Sequence, residues 1–285
     1  QHDLPSIEKP AIDPLSIDPD KGSAFMEEVD QLSYEPLQPK FLVPEKDFSV
    51  REISPGIRLI HAFNPLNDLF NLDVRMDLGF DHQPMLSTAK RMLDRAGARE
   101  MSSEDLKVEW YKLGTDFGFG VQEHFCSFFI NGLDENFLSS LQLAESHLLF
   151  PNTSEEIWND TKDIILSERD DEQKDPNALT HALAHFHRYG ENSRYLKRSS
   201  DADLNNSTTS GLSELLKQAV ESPRSILYFG PQPPHIVEQW IRDSFLGVSP
   251  QHKAVKVEPG RSLKTQKDQV YFLHKEMAQA QVRFE

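Results

Sequence analysis

The sequence predicts an α+β fold in which helices pack on one face of a largely antiparallel sheet. The clearest observation is the run from Phe70 to Leu78, where apolar and polar residues alternate with the period of a half-buried strand. The second is the order of segments: three strands, helices, two strands, more helices, one strand and a last helix. The third is composition, because 285 residues with 38% hydrophobic content can bury a core of ordinary size.

Turn and cap residues delimit the predicted elements. Ser54-Pro55-Gly56 separates the first two strands, Ser103 can cap a helix, and helices are expected to stop at Gly97, Gly114 and Pro151. The predicted strands span residues 48–53, 57–63, 70–78, 116–121, 124–131 and 225–229. The predicted helices span residues 85–96, 103–113, 134–148, 153–172, 176–188, 208–220 and 234–245.

Composition shifts divide the chain into four parts. Residues 1–46 are rich in proline and acidic residues and are expected to be an extended linker. Residues 47–248 form the α+β domain, and residues 249–267 form a second polar linker. Residues 268–285 alternate in polarity and are expected to be the opening strands of a further, truncated domain. Because the chain opens at Gln1 rather than Met, it is expected to come from a longer protein.

Charge and hydropathy exclude two classes of partner. Thirty Lys and Arg against 46 Asp and Glu give a net charge of −16, which repels a phosphate backbone, so no nucleic acid partner is expected. No stretch approaches the roughly 18 to 20 apolar residues of a membrane helix, so the sequence predicts a soluble chain without membrane insertion. The single cysteine, Cys126, rules out an internal disulfide and is expected to be a buried thiol.

Three motifs have the residue types of a binding site but not the expected context. Gly114, Gly118 and Gly120 precede a strand instead of opening a helix, so they are expected to form a turn rather than a phosphate cradle. The acidic run from Glu168 to Glu172 is expected to be a solvated helix end. His181, His185 and His187 form the best candidate zinc cluster, but the last histidine lies roughly 200° around the helix from His185. A polar or half-buried histidine face is the alternative.

Several segments together resemble the pitrilysin/insulinase family of zinc metallopeptidases, which includes the mitochondrial processing peptidases. The resemblance covers about residues 41–248 and rests on spacing, while residues 265–285 are similar to the opening strands of the next family domain. The segments that carry it are Leu78-Gly79-Phe80-Asp81, Met92-Leu93-Asp94-Arg95-Ala96-Gly97-Ala98, Leu113-Gly114-Thr115, Leu149-Phe150-Pro151, Tyr189-Gly190, Leu204, the 212–220 helix and Ile226-Leu227-Tyr228-Phe229-Gly230-Pro231. The resemblance implies a domain of the LuxS and mitochondrial processing peptidase type.

In active members of this family, two histidines of an H-x-x-E-H motif on the first helix hold zinc and its glutamate activates water, while a second helix supplies the third ligand, a glutamate seven residues before another glutamate. This chain departs from that pattern at both places. The resemblance therefore implies no catalytic residue and no metal ligand here. On the second helix Glu168 fits the later of the two glutamates, and Thr161 stands where the ligand should be. The degenerate positions are Ser87, Thr88, Arg91, Met92 and Thr161.

The resemblance implies the non-catalytic half of a zinc metalloendopeptidase that closes a chamber and binds peptide substrate on an acidic inner surface. Zinc is expected only in the catalytic half, which lies in the same polypeptide or in a homologous subunit. The substrate-binding residues are unknown at this stage. The alternatives are an inactive structural or assembly subunit, or an independent zinc enzyme built on His185 and its neighbours. Bacterial periplasm or cell envelope, cytoplasm and an organelle are all compatible locations.

Overall fold

The computed structural model describes residues 18, 22–252, 261–264, 267–276 and 280–284. The chain divides into two units, Gln1–Phe41 and Leu42–Glu285. In the first unit, helix α1 (Ala24–Asp30) begins where the Ser23 side chain accepts a hydrogen bond from the Met26 amide, and none of its residues is buried. The second unit contains the remaining helices and strands.

A six-stranded sheet in the order β1-β2-β8-β3-β6-β5 is the centre of the second unit. Four of its five strand pairs are antiparallel, and the pair of β2 with β8 is parallel. A two-residue pair, β4 with β7, lies outside it. The strands are β1 (Ser49–Ser54), β2 (Ile57–Phe63), β3 (Leu69–Met76), β4 (Gly97–Ala98), β5 (Asp116–Val121), β6 (Cys126–Leu133), β7 (Pro151–Asn152) and β8 (Arg224–Gly230).

The helices supply the other half of the core, which lies against one face of the sheet. Alternate strand residues such as Leu72, Val74 and Ile130 are fully buried there together with helix residues such as Trp158. The helices after α1 are α2 (Leu86–Leu93), α3 (Ser103–Leu113), α4 (Phe137–Leu149), α5 (Glu155–Glu172), α6 (Pro176–Tyr189), α7 (Arg194–Lys197), α8 (Asp201–Asn206), α9 (Thr209–Val220) and α10 (Pro234–Asp243).

The predicted α+β class and mostly antiparallel sheet are confirmed. Helix α3 ends as expected at Gly114, which has the left-handed φ of 59°. Its N-cap, however, is Ser102 rather than Ser103, because the Ser102 hydroxyl and the Asp105 carboxylate form a reciprocal capping box. Cys126 is buried, and burial raises the pKa of its thiol to about 12, which confirms the expected unreactive thiol.

The opening strands expected within residues 268–285 do not form in the part of that segment that the structure describes. Residues 261–264, 267–276 and 280–284 lie along α6 without strand pairing. The Leu263 amide donates to the Arg188 carbonyl, and the Tyr271 ring meets His187 edge to face. No described strand lies beside this segment to pair with it. Its assignment to a further domain stays a prediction. None of the described helices is long and apolar enough to cross a membrane.

Candidate functional site

The first part of the candidate site is the place where α2 meets α5. Helix α2 buries Ala89 and Met92 in the core, which turns Arg91 away from the sheet and toward α5. Arg91 Nη2 lies 2.9 Å from Glu168 Oε1, and Nη1 lies 3.1 Å from Oε2. This bidentate hydrogen bonding to Glu168 raises the pKa of Arg91. Glu168, which fits the later glutamate of the family's second helix, is therefore paired with the charged guanidinium of Arg91.

The other degenerate positions offer no metal ligand at this place. Thr88 is buried with its hydroxyl 3.4 Å from that of Ser199, and the buried Thr161 hydroxyl donates to the Ile157 carbonyl on its own helix. Met92 is buried in the apolar core. Across the described residues, no group of three or more His, Cys, Asp or Glu could hold a metal ion. The residues present at the α2 and α5 contact therefore do not fit zinc, which requires imidazole, thiolate or free carboxylate donors.

The α6 histidines contact different partners. His181 Nδ1 lies 3.0 Å from Arg283 Nη1, and His185 Nδ1 lies 3.1 Å from the Ser193 hydroxyl. The His187 ring instead meets Tyr271. Burial, then the positive charge of Arg194, lowers the pKa of His185. Nearby guanidinium groups disfavour a divalent cation, so this geometry does not favour the alternative of a zinc site on α6.

The acidic run at the end of α5 is a set of ion pairs at the protein surface. Asp170 pairs with Lys174 in the turn that follows α5, and Glu172 pairs with Arg198 after α7. Arg169, inside the run, pairs with Asp201 at the start of α8. These contacts fasten α5 to the following helices, which matches the expected solvated helix end.

The second part of the candidate site is the sheet face that the helices leave uncovered. Strand residues alternate between the two faces, and one set is buried against the helices. We call the other set the open face. Six large apolar side chains on the open face are each 38–48% exposed, and Ile60 is less exposed. The six are Val50, Leu69, Phe129, Leu133, Leu227 and Phe229.

Polar side chains on the open face lie in rows set by the strand register. Glu52 on β1 faces Arg58 on β2, and the Arg58 guanidinium donates to the Ser225 hydroxyl on β8. Asn71 on β3 and Asn131 on β6 are joined by a hydrogen bond between their side chains. No binding residue on this face was predicted from the sequence. The alternation within β3 indicates which of its residues face outward, but only the pairing of distant strands shows which residues share a row.

Comparisons with solved structures show the fold. The chain is similar to a peptidase M16 inactive domain from Pseudomonas fluorescens, with 16% identity and a TM-score of 0.64 over 75% of this chain and 53% of that one. It is also similar to a mutant of the ferredoxin protease FusC in complex with Arabidopsis ferredoxin, with 12% identity and a TM-score of 0.64 over 82% and 28% of the two chains. The periplasmic protease PqqL from Escherichia coli gives 12% identity and a TM-score of 0.63 over 89% and 28%.

The resemblance to the pitrilysin/insulinase family is thus confirmed at the level of the fold, which the chain shares with that peptidase M16 inactive domain. No protein-family model matches the sequence, and no curated protein matches it. The chain spans between about a quarter and a half of the length of these three structures.

Proposed function

We propose that this chain acts as the non-catalytic, chamber-closing and substrate-binding half of a zinc metalloendopeptidase whose zinc site lies elsewhere. The observation that carries the proposal is the open face, because it presents exposed apolar side chains on a domain whose fold is that of an inactive M16 domain. Its partner would be a catalytic half, either in the same polypeptide or in a homologous subunit.

The contact between α2 and α5 supports the non-catalytic role. The Arg91 guanidinium donates to the carboxylate of Glu168, the residue that fits the later glutamate of the family's second helix. A fixed positive charge at that carboxylate opposes divalent cation binding. We therefore assign Ser87, Thr88, Arg91, Met92 and Thr161 as degenerate ligand positions.

The open face supports the substrate-binding role. An exposed apolar surface of this kind marks a contact with another molecule, because a sheet face in water without a partner favours polar residues. Unfolded peptides expose the apolar side chains that such a face can cover. Closing a chamber would turn this face toward the enclosed substrate.

Two further features of the proposal rest on the solved relatives. FusC was solved in complex with ferredoxin, which supports a protein or peptide as the substrate class. PqqL is a periplasmic protease, which supports a periplasmic location among the compatible ones. The division into a linker at 1–46, a domain at 47–248, a linker at 249–267 and a further domain at 268–285 is part of the same proposal.

Peptide binding tests the proposal directly. We expect a fluorescently labelled unfolded peptide to bind the chain, and we expect the double substitution Leu227→Ser and Phe229→Ser to weaken binding about tenfold. The control is Val108→Ser with Tyr111→Ser, which removes two side chains from α3 that are more exposed than Leu227 and Phe229. Fluorescence anisotropy measures both variants. Equal loss in the two variants, or no peptide binding by the native chain, would contradict the proposal.

The alternative role as a structural or assembly subunit makes a different prediction. In that case the chain would bind no peptide, and the open face would be covered by another folded protein. The measurement that separates the roles is addition of the chain to the catalytic half, when that half is in hand. A gain in peptide cleavage that the Leu227 and Phe229 substitutions remove supports the proposed role.

A further inference from the structure

A single row of side chains crosses the open face from one sheet edge to the other. Successive strand registers place Val50 beside Ile60, Ile60 beside Leu227, Leu227 beside Asp73 and Asp73 beside Phe129. The row ends on β5 at Gly118, and the Phe129 ring lies over this glycine so closely that an added Cβ would come within 2.3 Å of it. Asp73 is therefore the one charged residue in an otherwise apolar row.

The Asp73 carboxylate has no hydrogen-bond or ion-pair partner among the residues that the structure describes. Arg75 is two residues away on the same face, but its guanidinium lies 4.0 Å from the centre of the Phe125 ring. The other arginine of the open face, Arg58, donates to the Ser225 hydroxyl. Neither guanidinium pairs with Asp73.

Aspartate is an unfavourable choice at this position. It has low β-propensity, and β3 is an inner strand with neighbours on both sides. Burial between Leu227 and Phe129 raises the pKa of Asp73, because desolvation disfavours the carboxylate. Asp73 thus opposes the strand propensity of its position, and its charge is unfavourable beside apolar neighbours. Such a residue is expected where function, rather than stability, requires it.

The surroundings of Asp73 specify its ligand. A carboxylate alone in an apolar row cannot hold a divalent cation, which needs several oxygen or nitrogen donors. A lysine or arginine side chain suits the place better, because it pairs an aliphatic stem with a cationic end. The stem would lie on Leu227 or Phe129, and the charged end would reach Asp73. The net charge of −16 also favours the approach of a cationic peptide.

We propose that Asp73 binds the ammonium or guanidinium group of a lysine or arginine in the substrate, while the apolar row around it holds the neighbouring residues. The proposal rests on the proposed function of the open face and adds the substrate class, which is a peptide with a basic residue between apolar residues. Asp73 is then a specificity residue of the binding half, because it favours such a peptide over a neutral one.

Two labelled peptides test this inference. One has a single central lysine between leucine pairs, and the other has acetyl-lysine there, which keeps the length and removes the charge. We expect the native chain to bind the lysine peptide about tenfold more tightly, as fits a charged hydrogen bond. The substitution Asp73→Asn should bring the two affinities together. The control Asp116→Asn removes a carboxylate from the sheet edge on the same face and should leave the ratio unchanged.

The outcomes separate the inference from the proposed function. Equal binding of both peptides by the native chain contradicts the role of Asp73 and leaves peptide binding intact. If Asp73→Asn binds the lysine peptide over the acetyl-lysine peptide with the same preference as the native chain, the role of Asp73 is also contradicted. Absence of binding by either peptide contradicts the proposed function as well. Sedimentation of the native chain is the second measurement, and a dimer that Asp73→Asn dissociates would overturn the inference, because the occupant of the row would then be a second copy.

Discussion

The Arg91 guanidinium and the Glu168 carboxylate form a bidentate ion pair that joins α2 to α5, with N to O distances of 2.9 and 3.1 Å. Both side chains are partly exposed, at 41% and 52%. The pair fixes a permanent positive charge where α2 meets α5, and such a charge opposes the binding of a divalent cation at this place.

The first prediction concerns metal content. After incubation with zinc and dialysis, elemental analysis should find far less than one zinc ion per chain, because no described group of side chains supplies a set of ligands. A stoichiometric zinc ion would contradict the proposed role. In that event, loss of the metal in His185→Ala would place it on α6 and revive the alternative of an independent zinc enzyme.

The second prediction concerns the stability contributed by the pair itself. Arg91→Ala should lower the free energy of unfolding by less than about 1 kcal/mol, because both partners are partly exposed and solvent screens their attraction. Urea denaturation measures the change. A loss of several kcal/mol would contradict this expectation and show that the pair is a major contact between α2 and α5.

A third prediction uses a buried arginine as the contrast. Arg224 is 2% exposed, and its guanidinium donates to the backbone carbonyls of Val220, Ser222, Leu246 and Val248. Arg224→Ala should cost about 3 kcal/mol or more, because several buried carbonyls lose their donors and a cavity remains. Arg51→Ala, at an exposed arginine on β1, is the control. If Arg224→Ala lowers the free energy of unfolding by no more than Arg51→Ala does, then water replaces the hydrogen bonds of the Arg224 guanidinium.

The fourth prediction concerns acid sensitivity. Burial lowers the pKa of His147 to about 4 from an ordinary 6.5, and its Nε2 lies 3.2 Å from the Leu93 carbonyl. The unfolded chain therefore takes up a proton before the folded chain does. The stability due to neutral His147 is complete above pH 6.5, declines as the pH falls and is lost below about pH 4. The loss is on the order of 3 kcal/mol. Denaturation across this range should show a flatter profile for His147→Gln.

Local patterns in the sequence predicted most of the secondary structure. Alternation identified β3, and a glycine identified the end of α3, because both signals depend only on neighbouring residues. The short helices α7 and α8 were missed within a segment rich in Ser, Asp and Asn. Those residue types favour loops, and here a capping box at Ser200 starts α8 instead.

The candidate site was less accessible to sequence reasoning. Arg91 was predicted from the sequence only as a degenerate ligand position. Its pairing with Glu168, 77 residues further along the chain, depends on how α2 and α5 meet. The row through Asp73 depends on the parallel pairing of β2 with β8, and these strands are far apart in the chain. Asp73 appeared only as one polar residue in an alternating strand. Its apolar neighbours Leu227 and Phe129 come from two other strands, β8 and β6, so the conflict that makes it a candidate is visible only in the folded sheet.

The last prediction is that Asp73 reduces stability in the absence of a ligand. Its pKa is raised in the folded chain above the ordinary 3.8, so the folded state holds the proton more tightly than the unfolded state. The sign follows from linkage: stability falls as the pH rises through the folded-state pKa, and the penalty is complete at neutral pH. Asp73→Asn should therefore be more stable than the native chain at pH 7.

The same substitution should give little gain below about pH 3.8, where both states are protonated. Paired thermal unfolding at pH 7 and at the lower pH measures this difference, and Asp116→Asn provides the control for general loss of negative charge. A substitution that improves folding while it removes discrimination for a lysine peptide is the signature of a residue retained for binding. If Asp73→Asn instead lowers stability at pH 7, then the carboxylate has a structural partner and its proposed role in binding is contradicted.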